Sequence, residues 1–340
     1  MRAVIENWLV GTWYDSSQPP WYLRLFEPLY RAAFQRTQKK GQQELARYRS
    51  ALPLIVVGNI TAGGSGKTPL VIRLCQLALA MNLRPGIAST GYGRDSRETL
   101  LVRPDSDPVD CGDEPVMLAA RTGVPVIVAA TRLDAVKTLE EMEIDLIISD
   151  DGLQQANLDR DIEFCVIDGK RGLGNGHLIP AGPLREPAER LVKVDYVVTN
   201  GVWADIPQDI DVNVMHLKAN VLHSLDDKTV LSVDEFRQIN AGKDIHTIAA
   251  IGHPERFFEM LAGMGLTGSR QGFPDHHAFK PGDFDSLESD CVILMTEKDA
   301  VKCRLLGLKN AWYVPVDTHL PGELEASFKE QLTKLMKESG

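Results

Sequence analysis

Cysteine is sparse and unpaired in this sequence. The five cysteines, at positions 75, 111, 165, 291 and 303, form no C-x-x-C pair, and several lie within apolar runs. They read as reduced, buried thiols of a cytosolic protein. Long apolar runs are missing as well: nothing approaches the roughly 18 residues that a spanning helix needs. Glu6 interrupts a short apolar start and no A-x-A site follows, so a cleavable leader is not expected either. An excess of positive charge is also absent. The net charge of −10 argues against a dedicated nucleic-acid binder. No repeat of fixed period, no low-complexity tract and no motif for a protein partner is evident. What remains is 44% hydrophobic and 25% charged, as in a soluble globular protein with a full core. A length of 340 residues suits two domains.

Aromatic residues are scarce at 6%, and unevenly placed. Eight of them precede residue 35: Trp8, Trp13, Tyr14, Trp21, Tyr22, Phe26, Tyr30 and Phe34. Tyr22, Phe26, Leu29, Tyr30 and Ala33 recur at helical spacing, although Pro28 interrupts a single continuous helix. Residues 1–40 carry six Lys/Arg against three Asp/Glu, opposite in sign to the whole chain. An amphipathic helical segment at a membrane interface fits this composition. A helix packing its aromatic stripe onto the protein's own core fits it too.

From residue 53 short Val- and Ile-rich runs alternate with helical stretches such as 66–82 and 131–142. "LPLIVV", "PGIAST", "VPVIVAA", "IDLIIS", "IEFCVID" and "VDYVVTN" read as buried parallel strands with helical crossovers. The expected fold is α/β: a P-loop-type, doubly wound, mostly parallel sheet over 41–201. A two-stranded β linker follows over 202–240, where "VNVMHLKANVLHSL" alternates apolar and polar residues. A second, smaller α/β domain is expected over 241–340. It has strands "IHTIAAIG", "CVILMTE" and "AWYVPVD" and a last helix with Leu324, Phe328, Leu332 and Leu335 on one face.

The stretch "GNITAGGSGKTP" joins the first strand to the first helix of this pattern. Phosphate-binding loops read G-x-x-x-x-G-K-[ST], and Thr61 stands where the first glycine belongs. Gly63, Gly64 and Gly66 still allow close backbone approach to phosphates at a helix N-terminus. Thr61, Ala62, Gly63, Gly64, Ser65, Gly66, Lys67 and Thr68 are therefore the expected nucleotide loop. Lys67 would reach the β/γ-phosphates and Thr68 would ligate Mg²⁺. The K-G-G-x-G-K-T variant of ParA-type ATPases is disfavoured, because Ala62 replaces its extra lysine. A guanine-reading [NT]-K-x-D is not matched by "TEKD", in which Glu297 follows Thr296.

Further candidates lie at strand ends and in loops. Asp150 and Asp151, closing "IDLIIS", are placed as P-loop enzymes place their metal-managing aspartates. Asp113 and Glu114 open a helix with Pro115; they cap it, or one of them accepts a proton from an acceptor hydroxyl. Asp275, His276 and His277 cluster in "FPDHHAF", as metal ligands or as an imidazole supporting a carboxylate base. Arg185 in "IPAGPLRE" is a planar donor suited to phosphate, or a surface arginine after a Pro/Gly turn.

"GNITAGGSGKTP", "GYGR", "GDEP", "SDDGLQ", "IPAGPLRE", "FPDHHAF" and "TEKDAVK" occur in this order between residues 58 and 302. With the aromatic, basic N-terminus, this series resembles the tetraacyldisaccharide 4'-kinase family of lipid A biosynthesis, and the resemblance covers nearly the whole chain. It accounts for the missing glycine, since the family's loop resembles GNxTxGGxGKTP. The resemblance implies a peripheral enzyme on the cytoplasmic face of the inner membrane, using ATP and Mg²⁺. Its acceptor would be the 4'-hydroxyl of a tetraacylated glucosamine disaccharide 1-phosphate, a lipid lying in an anionic membrane surface. By the same resemblance Asp113 is the base and His276 its partner. Lys67 and Arg185 contact phosphates, and Asp150, Asp151 and Glu114 manage the metal with Thr68. Thr90 departs from the arginine that the family commonly has before G-Y-G, so no phosphate contact is carried over there. Because His276 belongs to the second domain, closure of the cleft around substrates would assemble the pair.

Overall fold

A computed structural model gives the fold and describes residues 2–14, 18–43, 47–288 and 290–339. Three helices open it: α1 (Arg2–Tyr14), the single turn α2 (Trp21–Arg24) and α3 (Glu27–Gln43). Pro28 falls in the first turn of α3, where its missing N–H costs nothing. The chain then alternates as its sequence periods require. The first-sheet strands are β1 (Leu54–Gly58), β2 (Pro85–Ser89), β3 (Leu100–Val102), β4 (Val126–Val128), β5 (Leu146–Asp150), β6 (Ile162–Asp168), β7 (Tyr196–Asn200) and β8 (Val212–Lys218). Among them lie α4 (Lys67–Ala80), the short α5 (Pro108–Cys111), α6 (Asp113–Thr122) and α7 (Arg132–Glu140). β1, β5 and β6 are buried along their whole length, as continuous apolar runs between two helical layers must be.

The second lobe contains β9 (Val221–Ser224), β10 (Val230–Ser232), α8 (Val233–Ile239), β11 (Ile245–Ala249), α9 (Pro254–Gly263), β12 (Ser269–Gly272), β13 (Val292–Thr296), α10 (Glu297–Cys303) and β14 (Ala311–Val314). The chain ends with β15 (Asp317–His319) and α11 (Gly322–Ser339). The first sheet has nine strands in the order β15-β8-β7-β6-β1-β5-β2-β4-β3; the second has six, β10-β9-β14-β13-β11-β12. Seven neighbouring strands of the first, β8 to β4, are parallel, and antiparallel β15 and β3 close its edges. The expected α/β class with a P-loop-type sheet and a second, smaller sheet is observed.

The sheets do not divide where the sequence suggested. β8 and β9, expected to pair within a linker, do not pair with each other: β8 joins β7 and β15, while β9 joins β10 and β14. Both partners that make the crossing, β14 and β15, lie about a hundred residues further on, where local alternation carries no information about pairing. "AWYVPVD", read as one strand, breaks at Pro315 and serves both sheets. A ribbon of two antiparallel strands, β8–β9 and β14–β15, thus runs from one lobe into the other.

The last helix also changes lobes. Leu324, Phe328 and Leu332 of α11 are buried in the core of the first sheet, where Phe328 meets Phe164 edge-on at 5.6 Å. Tyr196 of β7 reaches Ser327 and Gln331 on the same helix. The amphipathic stripe was legible; its destination was set by β15 returning the chain to the first sheet.

Candidate active site

β1 ends in the loop that runs into α4, next to the end of β5, so the loop and Asp150–Asp151 share the carboxyl edge of the sheet. Gly66 caps α4 with φ +96°, and a Cβ there would fall 2.5 Å from Asn200 Nδ2. Only glycine fits this turn. Thr61 is different: it is buried and forms a bridge with Leu184 in extended backbone, so no glycine is required in its place. The Ala62 N–H donates to Pro183 O at 2.8 Å, and its carbonyl accepts from Tyr14 Oη at 3.3 Å. Of the eight loop residues, Ala62 therefore has its amide already committed. Ser65 is buried with its hydroxyl unpartnered, while its carbonyl accepts from Asn200 Nδ2 at 3.3 Å.

Lys67 opens α4, and its Nζ is 3.6 Å from Asp151 Oδ1. Arg185 Nη1 approaches the same carboxylate at 3.1 Å and Asn59 Oδ1 at 3.0 Å. Burial alone would raise Asp151, but Lys67, Arg185 and Arg132 hold it down at about 2. Asp150 next to it has the opposite environment. Burial, with Glu114 nearby, pushes its carboxyl up to about 7, and its Oδ1 meets no donor. Thr68 is buried in the first turn of α4.

The second cluster spans the two lobes. Asp113 and Glu114 form the first turn of α6, and Asp113 is buried. His276, at φ +59° in the loop after β12, brings Nδ1 to 3.1 Å from Asp113 Oδ2 and 3.2 Å from Oδ1. Burial opposes charge on Asp113, yet the bond from His276 and the ammonium groups of Lys298 and Lys302 hold its carboxyl at about 2. His276 is raised: burial and Lys298 lower it, and the hydrogen bond to Asp113 more than offsets them. The pair was expected to assemble on substrate-driven closure. The two side chains are in contact here, and Lys298 joins the two lobes beside them.

Two further residues of these motifs have partners of their own. Glu114, assigned to the metal, has its Oε1 3.0 Å from Lys298 Nζ. Among the described residues, no three His, Cys, Asp or Glu side chains converge into a metal-holding group. His277 turns away from the cluster to Asp283 at 3.0 Å and stacks on Phe273.

The sequence matches the family described as tetraacyldisaccharide-1-P 4'-kinase over residues 19–337. The chain belongs to that family. It is 43% identical over 331 residues to the tetraacyldisaccharide 4'-kinase of Stenotrophomonas maltophilia, covering 95% of this chain and 96% of that one. The namesake from Hahella chejuensis is 41% identical over 341 residues, covering 97% of each. Among solved structures, LpxK from Aquifex aeolicus in complex with ATP superposes with a TM-score of 0.75 at 26% identity, covering 92% of this chain and 97% of that one.

Within this member of the kinase family, several residues around the site had escaped notice. Arg132 Nε donates to Asp150 O at 3.1 Å, and the Tyr92 ring lies 5.2 Å from that of His276. Arg256 of the second lobe reaches Asp168 and Asn200 at the ends of β6 and β7. "GYGR" and "TEKDAVK" had flagged Tyr92 and Lys298 as motif members without a role. Arg132, Asn200 and Arg256 carried no local signal at all.

Proposed function

We propose that this chain transfers the γ-phosphoryl group of ATP to the 4'-hydroxyl of a tetraacylated glucosamine disaccharide 1-phosphate, working peripherally on the cytoplasmic face of the inner membrane. The observation that carries the reading is the Asp113–His276 contact, brought from two lobes to the mouth of a P-loop in a chain of this family. Asp113 takes the hydroxyl proton as the acceptor oxygen forms its bond to phosphorus. The bond from phosphorus to the β-bridging oxygen breaks, and ADP leaves. His276 orients the carboxylate, and Lys67 with Arg185 offsets the charge of the transferring group.

The buried, unpartnered Asp150 carboxylate fits a Mg²⁺ ligand, as does the Thr68 hydroxyl at the start of α4. When bound, the ion would neutralise charge on the β- and γ-phosphate oxygens. Asp151, held by Lys67 and Arg185, would keep both cations aimed at the loop.

Membrane contact is supported by side chains on α2, the turn after it and the start of α3. Trp21, Leu25, Phe26 and Leu29 are 71%, 64%, 54% and 66% exposed. Among the described residues no helix is long and apolar enough to cross a membrane. The guanine alternative loses its reader: Asp299 of "TEKD" is fully buried and accepts the Ala250 N–H at 2.9 Å.

The test is transfer from γ-labelled ATP to the disaccharide 1-phosphate in mixed micelles. Label should reach the lipid with the parent and fall by orders of magnitude with Lys67→Ala of unchanged melting temperature. Equal turnover by that variant, or GTP used in preference, would overturn the reading.

A further inference from the structure

Lys298, from the T-E-K-D-A-V-K motif, is left without a task by the phosphoryl-transfer reading. It rises from the first turn of α10 in the second lobe, and its side chain is 12% exposed. Its Nζ lies 3.0 Å from Glu114 Oε1, 3.1 Å from Asp275 Oδ1 and 3.4 Å from His276 Nε2. Asp113 Oδ2 is 4.0 Å away. Asp275 Oδ1 also accepts the backbone N–H of His276 at 3.0 Å, which fixes the imidazole's stem against the same ammonium. Burial would strip the proton from Lys298, but Glu114, Asp113 and Asp275 more than offset this and keep it charged. An ammonium has three protons and no lone pair. Two of its near neighbours are carboxylate oxygens, and the third is a ring nitrogen that accepts only if it carries no hydrogen.

We propose that Lys298 is a positioning residue that fixes the tautomer of His276, keeping the ring proton on Nδ1, where it is donated to Asp113. A neutral imidazole has one donor and one acceptor nitrogen. In the other tautomer an Nε2–H would face the ammonium while a lone pair faced the Asp113 carboxylate, and both contacts would be repulsive. Lys302, one turn along α10, adds positive charge 3.8 Å from Asp113 Oδ2 and pairs with Asp299. The Tyr92 ring lies beside the imidazole. With Nδ1–H directed at it, the carboxylate is held in one orientation toward an incoming hydroxyl. A carboxylate-oriented histidine in the wrong tautomer loses most of its effect on a reaction, although its geometry is unchanged.

The inference rests on Asp113 and His276 being the reacting pair, and its first test needs no turnover. Multiple-bond ¹⁵N–¹H spectra of the ¹⁵N-histidine protein, at a pH where the ring is neutral, report which nitrogen of His276 carries the proton. The signal is assigned by its loss in His276→Ala. Protonated Nδ1 is expected; protonated Nε2 in the unmodified protein would overturn the proposal, whether or not any variant folds. Lys298→Met keeps the length and removes the charge. It should mix the tautomers and lower kcat about 10²-fold or more, with KM for ATP little changed. In the His276→Ala background the same substitution should cost little further, since the ring it positions is gone. Equal losses in both backgrounds would make Lys298 merely structural. Absence of lipid phosphorylation by the parent would defeat the kinase reading while leaving the tautomer measurement standing.

Discussion

Asp150 closes β5 with a carboxylate oxygen that meets no donor, and burial together with Glu114 pushes its carboxyl up to about 7. The ordinary value of an aspartate is about 3.9. Below about pH 4 both folded and unfolded chains hold this proton, so the group favours neither state. As pH rises from about 4 to about 7 the unfolded chain loses its proton and the folded chain keeps it. Stability of the metal-free protein therefore falls across that window and stays lower above it. Asp150→Asn removes the dependence. Its melting temperature relative to the parent should rise from pH 5 to pH 8, as followed by thermal scans in a chelator. A difference independent of pH would place the perturbed carboxyl elsewhere. At this scale the sequence was legible where a motif names a residue: Lys67, Asp113, Asp150 and His276 were all marked by their neighbours. Lys298 was marked without a role, because spacing could not show that α10 packs against α6 and brings its ammonium to Glu114.

Helices α2 and α3 divide their aromatic residues between two directions. Tyr30 turns inward, its hydroxyl donating to Arg185 O at 3.0 Å, and Glu27 pairs with His177 at 2.9 Å. Tyr14 of α1 lies over Arg171 and reaches the phosphate loop. Some of the N-terminal aromatics thus pack on the core, as one of the two readings held, while Trp21, Leu25, Phe26 and Leu29 face outward. The helical stripe was visible in sequence, but its split was not, since it depends on where the 177–186 segment passes. The outward set should insert into a bilayer interface, where each buried apolar side chain gains about 1.5–3 kcal/mol. Leu25→Ser combined with Phe26→Ser should weaken flotation with anionic vesicles at an unchanged melting temperature. Undiminished flotation would remove these residues from the membrane contact. Tyr30→Phe should do the reverse, leaving flotation intact and costing about 1 kcal/mol of stability for one hydrogen bond.

Across the whole molecule, the lobes meet over the phosphate loop through backbone as well as side chains. A Cβ placed on Gly252, in the turn after β11, would lie 2.8 Å from Gly64 N. Real Cβ atoms do not come so close to backbone nitrogen, so Gly252→Ala requires the second lobe to draw back. Around this contact, Arg171 donates to Gly252 O at 3.3 Å, Arg256 binds Asp168 and Asn200, and Lys170 pairs with Glu259. His276 and Lys298 are carried by the same lobe, so a withdrawal at Gly252 is felt at Asp113. Because the chain crosses between the lobes in the ribbon of β8–β9 and β14–β15, the displacement is taken up as a rotation about that ribbon. Gly252→Ala should therefore lower kcat well beyond any change in ATP affinity, since the loop itself belongs to the first lobe. Gly263 supplies the control. It ends α9 in the same lobe, and a Cβ there would meet nothing within 4 Å. Gly263→Ala should leave kcat unchanged and raise stability by up to about 1 kcal/mol through helix propensity and a less flexible unfolded chain. The measurements are kcat, ATP affinity and melting temperature for both variants. A Gly252→Ala enzyme with full kcat would show that lobe contact at the loop is not needed for transfer. A parallel loss of kcat in Gly263→Ala would show that the second lobe tolerates no added methyl anywhere, which the open space at that helix end contradicts.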